Sequence, residues 1–450
     1  MNGGRELEDR IKAVGHEIAA ALPAPTRHPL RRLDERAMAR IGDEGDLRAA
    51  LFRFVDVAPA CRSADDLARH LCEHLSQVDR QTWPIRAVLG AGRYWPVRPL
   101  LGRAAARGVK HMARRFIVGR STTDALGFLG GLWQRDVAST LDLLGEATLT
   151  RAEADSYAAR CADALEALTA GSRQWPERMR LEVDSLGPVP RANLSVKLTG
   201  LTPLLPPHAP EVGKLEARPR LRRLLRLAHE LDAHLHIDME SFDTRETTLA
   251  LVLELLEEKE FREGPSVGIV LQAYLLDSAQ ELERILDWAR SHQRTQPLVV
   301  RLVKGAYWDY EVATARQRSW TPPVYTSKVE CDANFERLTR SLLEARQLVR
   351  VAVGSHNLRS ISHAIACSRA LGADDRDLEL QVLRGLGDDL QHALAKLGFR
   401  VRVYCPVGDL VEGMAYLVRR LLENTSNESF VHRQATGEPL ESLLRPPVPA

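Results

Sequence analysis

The chain has no apolar run approaching the roughly 18 to 20 residues of a membrane span, and charged residues fall within its first ten positions, where a signal peptide would place its apolar core. It is therefore expected not to be integral to a membrane. It also lacks a surplus of either charge: 62 Lys+Arg stand against 60 Asp+Glu, which leaves no basic excess for nucleic acid, so any anion site must be local. The cysteines Cys61, Cys72, Cys161, Cys331, Cys367 and Cys405 are dispersed, without CxxC or Cys/His metal spacing, and read as reduced and mostly packed in a cytoplasmic protein. No GxGxxG or GxxxxGK[ST] is present, which removes the phosphate-binding first turn of a doubly wound nucleotide sheet. No cluster has the two-carboxylate pattern of a glycosidase. His234 and His236 in HLHIDME are the nearest approach to a metal pair; their period-two partner is Asp238 and no fourth ligand of suitable spacing stands nearby, so no metal is expected.

What is present is a long, globular composition of 450 residues, 44% hydrophobic and 27% charged, enough for a barrel of about 250 residues and an extension. From about residue 136 to 424, β-branched runs alternate with helical patterns. The expected strands are 139–144, 193–198, 234–239, 267–274, 298–305, 350–355, 378–383 and 401–407. Eight strands, each followed by a helix, define an α/β chain folded as a (βα)8 TIM-like barrel. Residues 1–135, helical patterns broken by Pro and Gly, are expected to form an N-terminal helical arm and α-subdomain. The barrel takes 136–432, and the proline-rich 433–450 reads as a tail or the start of a linker.

Active sites of such barrels lie at the C-terminal ends of the strands. Those ends offer Lys197, Asp238 and Glu240, Gln272, then Arg301, Lys304 and Tyr307, then Ser355, His356 and Asn357, then Glu379 and Gln381, and last Tyr404. Charges inside strands are costly unless paired or used; any single one is as well explained by an interior ion pair that holds the barrel together. Alternation places Arg301, Val303 and Gly305 on one face of the fifth strand, and Gln272 and Tyr274 on one face of the fourth. On the eighth helix, Tyr416, Arg419, Arg420 and Glu423 recur at helical spacing as one face. Adjacent guanidiniums repel unless an anion lies between them, and their planar forks suit a small carboxylate. A solvated helix face is the plainer alternative.

The runs VRLVKGAYWD (300–309), IVLQAY (269–274), SVKL (195–198), RVYCPVG (402–408) and YLVRRLLEN (416–424), with His-Asn after the sixth strand, resemble the proline dehydrogenase domain of the bacterial proline-utilisation flavoenzymes. The resemblance covers about residues 110–431. It implies a distorted barrel with FAD over the strand C-termini and oxidation of L-proline to Δ1-pyrroline-5-carboxylate, with electrons passed to a quinone. By the same resemblance Lys197, Arg419 and Arg420 bind the substrate carboxylate, Tyr404 and Tyr416 pack on the ring, Tyr307 helps close the site, Glu146 pairs with Arg419 as a gate, and Asp238 orients Tyr404 and Arg420. Arg301 would reach the flavin N5 edge and Gln272 its pyrimidine end. Val303, Lys304, Gly305, Trp308, Lys328, Ser355, His356, Asn357 and Glu423 would hold the ribityl, phosphate and adenosine parts.

Three departures from the family pattern are Ser355 where many relatives have Thr, Arg384 with GLGDD where many have His or Tyr and a different turn, and Cys405 in place of alanine. The bifunctional relatives continue into an aldehyde dehydrogenase module, so a monofunctional enzyme and a chain ending at the linker are both expected readings. An aldehyde dehydrogenase, fused or separate, is the implied partner, and peripheral contact with the inner face of the cell membrane follows from the quinone. Oxidation of hydroxyproline or another imino acid, and a silent barrel serving as a binding module, remain open alternatives.

Overall fold

Eight parallel strands close on one another in chain order: β1 (Val137–Leu143), β2 (Asn193–Lys197), β3 (His234–Asp238), β4 (Ser266–Gln272), β5 (Val299–Val303), β6 (Arg350–Gly354), β7 (Leu378–Leu383) and β8 (Arg400–Val407), with β8 pairing back onto β1. The computed structural model describes residues 2–23, 45–409, 413 and 438–448. All eight expected strands are present, their ends within two residues of expectation.

Each strand reads as apolar because its outward row lies beneath the helices. Leu194 and Val196, Leu235 and Ile237, Ile269 and Leu271, Val300 and Leu302, Val351 and Val353, Leu380 and Val382, and Val401 and Val403 are all buried. Local signals start the covering helices: Thr150 and Glu153 form a capping box at Arg151–Ser172, and Asn357 Oδ1 accepts from the Ser360 amide at the start of Leu358–Ala370.

The inward row is polar. At the N-terminal end of the barrel Asp184 accepts from Arg350 Nε at 2.9 Å and from Arg400 Nη1 at 3.0 Å. Asp184 belongs to a short antiparallel pair, Val183–Asp184 with Gly187–Pro188, that the sequence pattern did not reveal. Beside it Glu379 accepts from Arg402 Nε at 2.8 Å and from Gln381 Nε2 at 2.6 Å. Burial alone would raise the Glu379 carboxyl, but Arg402 and Arg400 overcome it and hold it at about 2. Glu379 and Gln381 are thus part of the floor, and the interior-ion-pair reading applies to them. Above them His234 Nδ1 meets Ser266 Oγ at 2.9 Å and its Nε2 meets His236 Nδ1 at 3.2 Å. Burial pushes His234 down to about 3, so this pair is neutral.

The N-terminal region is two structures. The helix Asn2–Ala21 lies on the barrel helix Leu358–Ala370 and buries Ile11, Val14 and Ile18 in the barrel's own core. Arg359 ties it down by pairing with Glu8 at 2.6 Å and Glu336 at 2.7 Å, and also donates to the Leu444 carbonyl. Leu443 and Leu444 are buried there, so residues 440–444 are docked rather than free. The helices Gly45–Val57, Ala64–Ser76, Trp83–Arg93 and Arg98–Phe116 form a separate core around Phe54, Leu67, Leu71, Val109 and Phe116. Among the described residues no helix is long and apolar enough to cross a membrane.

Candidate active site

Strand register sets the site. Lys197 and Asp238 are the last residues of β2 and β3 and lie side by side, while Asp142 of β1 stands beside Ser195 of β2. Arg301 sits on β5, two strands from β3, yet its Nη1 reaches Asp238 Oδ1 at 2.8 Å and Ser195 Oγ at 3.5 Å. The side chain therefore crosses the barrel interior. Asp238 Oδ2 accepts from the Tyr404 hydroxyl on β8 at 2.6 Å, and the Arg301 guanidinium lies 5.5 Å from the centre of the Tyr404 ring. Ser195 Oγ on β2 also donates to Asp238 Oδ1, at 3.2 Å, so four strands are joined through one buried carboxylate.

The second pair is Lys197 with Asp142, at 2.6 Å, with Glu146 at 3.8 Å from the same ammonium. Burial disfavours the lysine charge, but Asp142 and Glu146 outweigh it and keep Lys197 charged well above the ordinary lysine range. Burial raises the Asp142 carboxyl to about 6 against the pull of Lys197. Burial, then the Asp142 and Asp238 charges, push Tyr404 far above an ordinary phenol, so it stays protonated and donates. Glu240 is also raised by burial, against the hydrogen bonds of Thr199 at 2.7 and 2.9 Å.

Of the expected substrate residues, the structure brings together Lys197, Asp238, Tyr404 and Glu146, with Arg301 among them. The expected link from Asp238 to Tyr404 is present; Tyr416, Arg419, Arg420 and Glu423 lie outside the described residues, and with them the Glu146–Arg419 gate and the Asp238–Arg420 contact.

The remaining candidates occupy the rim from β4 to β7. Gln272 Nε2 donates to the Glu240 carbonyl at 2.9 Å. Val303 is half-buried at the end of β5, and Lys304 beyond it pairs with Asp332. Gly305 has φ +131°, a conformation side chains resist, and a Cβ there would stand 2.4 Å from the Tyr274 ring. Tyr307 precedes the helix Trp308–Gln317, and Trp308 Nε1 donates to the Tyr325 carbonyl at 2.9 Å. Lys328 opens the helix Lys328–Glu344. Ser355 Oγ accepts from the Asn357 amide at 3.1 Å, and His356 Nε2 from the Leu383 amide at 2.9 Å. Of the departures, Arg384 pairs with Asp388 at 2.6 Å and stacks on Phe128, while Cys405 is fully buried.

Several buried polar atoms here have no hydrogen-bond partner among the described residues: Arg301 Nε and Nη2, Gln272 Oε1 and Asp142 Oδ2. Such atoms are costly unless a ligand or solvent satisfies them. Sequence reasoning passed over Asp142, Ser195 and Thr199. The signal for Asp142 was an acid inside an otherwise uncharged strand, VASTLDL; nothing distinguished the two hydroxyls.

A closed (βα)8 barrel with an ion-paired carboxylate and a buried lysine at its mouth is the class of protein these observations define. A model of the proline dehydrogenase family matches residues 128–433, and a model of the proline utilization A N-terminal domain matches residues 8–116. The chain belongs to the proline dehydrogenase family. It is 32% identical over 362 residues to the bifunctional protein PutA of Escherichia coli (strain K12), covering 78% of this chain and 26% of that one. It is 30% identical to the proline dehydrogenase of Deinococcus radiodurans, covering 71% of this chain and 89% of the relative. The crystal structure of proline utilization A (PutA) from Bdellovibrio bacteriovorus superposes with a TM-score of 0.89 at 35% identity, over 98% of this chain and 44% of that one. The chain thus spans about a quarter of the length of the bifunctional curated relatives it matches.

Proposed function

We propose that this chain oxidises L-proline to Δ1-pyrroline-5-carboxylate, with FAD as the immediate acceptor and a quinone as the final one, as the first step of proline catabolism. The observation that carries the reading is the coupled pair at the barrel mouth, Lys197 held by Asp142 and Tyr404 held by Asp238 and Arg301, in a chain of the proline dehydrogenase family.

Lys197, with Arg419 and Arg420 from outside the described residues, would bind the substrate carboxylate and fix the ring carbon beside the nitrogen in one position. Tyr404 and Tyr416 would pack on the ring and exclude water, Tyr307 would close the site, and Glu146 would act as its gate. Asp238 would orient Tyr404 by accepting a hydrogen bond from its hydroxyl, at 2.6 Å.

The residues fit a flavin. Among the described residues Arg301 Nε and Nη2 are two donors without a partner and Gln272 Oε1 an acceptor without one, as a heterocycle edged with both needs. Gly305 keeps the backbone open beside Tyr274. Val303, Lys304, Trp308, Lys328, Ser355, His356, Asn357 and, outside the described residues, Glu423 would hold the ribityl, phosphate and adenosine parts. When bound, FAD supplies the two-electron acceptor, and the Arg301 charge favours its reduced, more negative form.

Delivery of electrons to a quinone calls for contact with a membrane surface, and one region suits it. Trp83, Tyr94, Trp95 and Leu100 are exposed. The segment 83–116 around them contains Arg86, Arg93, Arg103, Arg107 and Lys110 but no Asp or Glu. Apolar anchors among basic side chains match an anionic lipid face. The protein would then work in the cytoplasm and at the inner face of the cell membrane, passing its product to an aldehyde dehydrogenase, fused or separate.

The test is an anaerobic titration of the purified, flavin-loaded protein with L-proline. Bleaching of the flavin absorbance at stoichiometric turnover is expected; an unbleached flavin at saturating proline would refute the reading.

A further inference from the structure

The floor of the barrel, at the opposite end from the candidate active site, gathers three buried guanidiniums. Arg350 opens β6, and Arg400 and Arg402 lie on β8; none is more than 4% exposed. Among the described residues the buried carboxylates they meet are Asp184 and Glu379. Asp184 is shared between Arg350 at 2.9 Å and Arg400 at 3.0 Å, and Glu379 between Arg402 at 2.8 Å and Arg400 at 3.7 Å. Three guanidiniums against two carboxylates leave one positive charge in excess. Burial keeps His234 and His236 neutral, so neither alters the balance, and Arg301, the next charge toward the mouth, is matched by Asp238.

Among these side chains lies a cavity of ≈ 20 Å³, its wall formed in part by the three arginines, Glu379, Asn193 and His236. Two buried atoms of that wall, Arg400 Nε and Asn193 Oδ1, have no hydrogen-bond partner among the described residues. A water would accept from the first and donate to the second, yet it would leave the charge unmatched, and an unmatched buried charge costs far more than an unmade hydrogen bond. A small anion meets both demands. It accepts from Arg400 Nε, and a half-turn of the Asn193 amide exchanges its oxygen for an NH2 donor. The volume admits one small species, which excludes phosphate, sulfate and organic acids.

We propose that the barrel floor binds one halide ion, of the size of chloride, between Arg400 and Asn193, as the missing counter-charge of the arginine cluster. The ion is structural. It neutralises the point where β6, β7 and β8 meet the short pair Val183–Asp184 and Gly187–Pro188, to which Arg350 also donates at the Pro188 carbonyl, 2.9 Å away. Because it binds the folded barrel and not the unfolded chain, the stability of the protein rises with halide concentration. The chemistry at the mouth does not enter the argument, so the site stands or falls apart from the proline reading.

Bromide is the probe. The flavin-loaded wild-type protein is purified and crystallised with bromide as its halide, and diffraction is measured at the bromine absorption edge. An anomalous peak is expected inside the cavity, within hydrogen-bond reach of Arg400 Nε and the Asn193 amide. Water there without anomalous signal, or bromide at surface positions only, overturns the proposal. In scanning calorimetry in sodium gluconate, chloride added at constant ionic strength should raise the Tm by about 2 °C for each tenfold above its dissociation constant. A Tm indifferent to chloride overturns the proposal as well. Asn193→Asp places a fixed carboxylate in the cavity wall. It should abolish both the bromide peak and the chloride dependence, and melt in gluconate no lower than the wild type; a variant that keeps the peak counts against the site. Where that variant does not fold, the wild-type anomalous signal decides alone.

Discussion

Asp238→Asn removes one charge and almost no volume from the point where four strands meet. In the wild type Asp238 accepts from Arg301 at 2.8 Å, Tyr404 at 2.6 Å and Ser195 at 3.2 Å. Arg301 is 5% exposed and already carries two nitrogens without a hydrogen-bond partner among the described residues, so with asparagine at 238 its remaining contacts there are neutral: the amide oxygen, the Tyr404 ring at 5.5 Å and Ser195 Oγ at 3.5 Å. Stripping one partner from a buried ion pair costs about 3–5 kcal/mol, and asparagine keeps one acceptor, which places the loss near the lower bound, about 3 kcal/mol. The Tyr404 hydrogen bond falls from charge-assisted to neutral, a further loss of about 1 kcal/mol. A total of about 4 kcal/mol, spread over the unfolding entropy of a barrel of this size, amounts to a fall of roughly 7 °C in Tm.

Tyr404→Phe gives the contrast, since it removes one hydrogen bond and leaves the Arg301 pair whole; its expected cost is about 1.5–3 kcal/mol. The double variant should lose less than the sum of the two, because both changes remove the same contact to Asp238. Differential scanning calorimetry of the flavin-free proteins measures this without cofactor binding entering the result. An Asp238→Asn protein melting within about 1 °C of wild type, or strict additivity in the cycle, would show that Arg301 finds its counter-charge elsewhere and that the link through Asp238 is incidental.

Arg301→Ala should lower flavin content, or lower the midpoint potential of the flavin that remains; an unchanged or raised potential in a fully loaded variant would remove Arg301 from the flavin edge. Gly305→Ala must place its Cβ 2.4 Å from the Tyr274 ring at a φ of +131°, so a loss of about 1–3 kcal/mol in stability and a drop in flavin occupancy are expected by calorimetry and absorbance. Wild-type enzyme should prefer proline to trans-4-hydroxyproline by at least about tenfold in kcat/KM, because the added hydroxyl meets the Tyr404 ring without a partner. Tyr404→Ser should narrow that ratio, chiefly by weakening proline turnover, and equal use of both substrates by the wild type would take Tyr404 out of the pocket. Trp95→Ala should reduce co-sedimentation with vesicles containing anionic lipid and leave neutral vesicles unaffected; identical binding to both would point to another surface.

The strands were legible because a helix-covered barrel demands apolar residues on the outward row whatever the interior does, and Leu235 and Ile237 or Val351 and Val353 satisfy that demand. The inward charges were legible as interruptions of those runs, but their meaning was not, since Glu379 and Asp238 look alike on paper. Position along the strand separates them. Arg350 and Arg400 open β6 and β8 and Glu379 is second in β7, so these charges neutralise one another at the floor with Asp184, whose two-residue strand is too short to register as a pattern. Lys197, Asp238 and Gln272 close β2, β3 and β4, and so face the mouth. Arg301 obeys neither rule, standing third of five in β5, and only the reach of its side chain across the interior assigns it to the mouth. The length of a side chain, as well as its register, decides which end of the barrel its charge serves. Arginine can therefore be placed at the wrong end by strand position alone, whereas the short Asp142, paired to Lys197 within hydrogen-bond distance, could act only where its backbone put it.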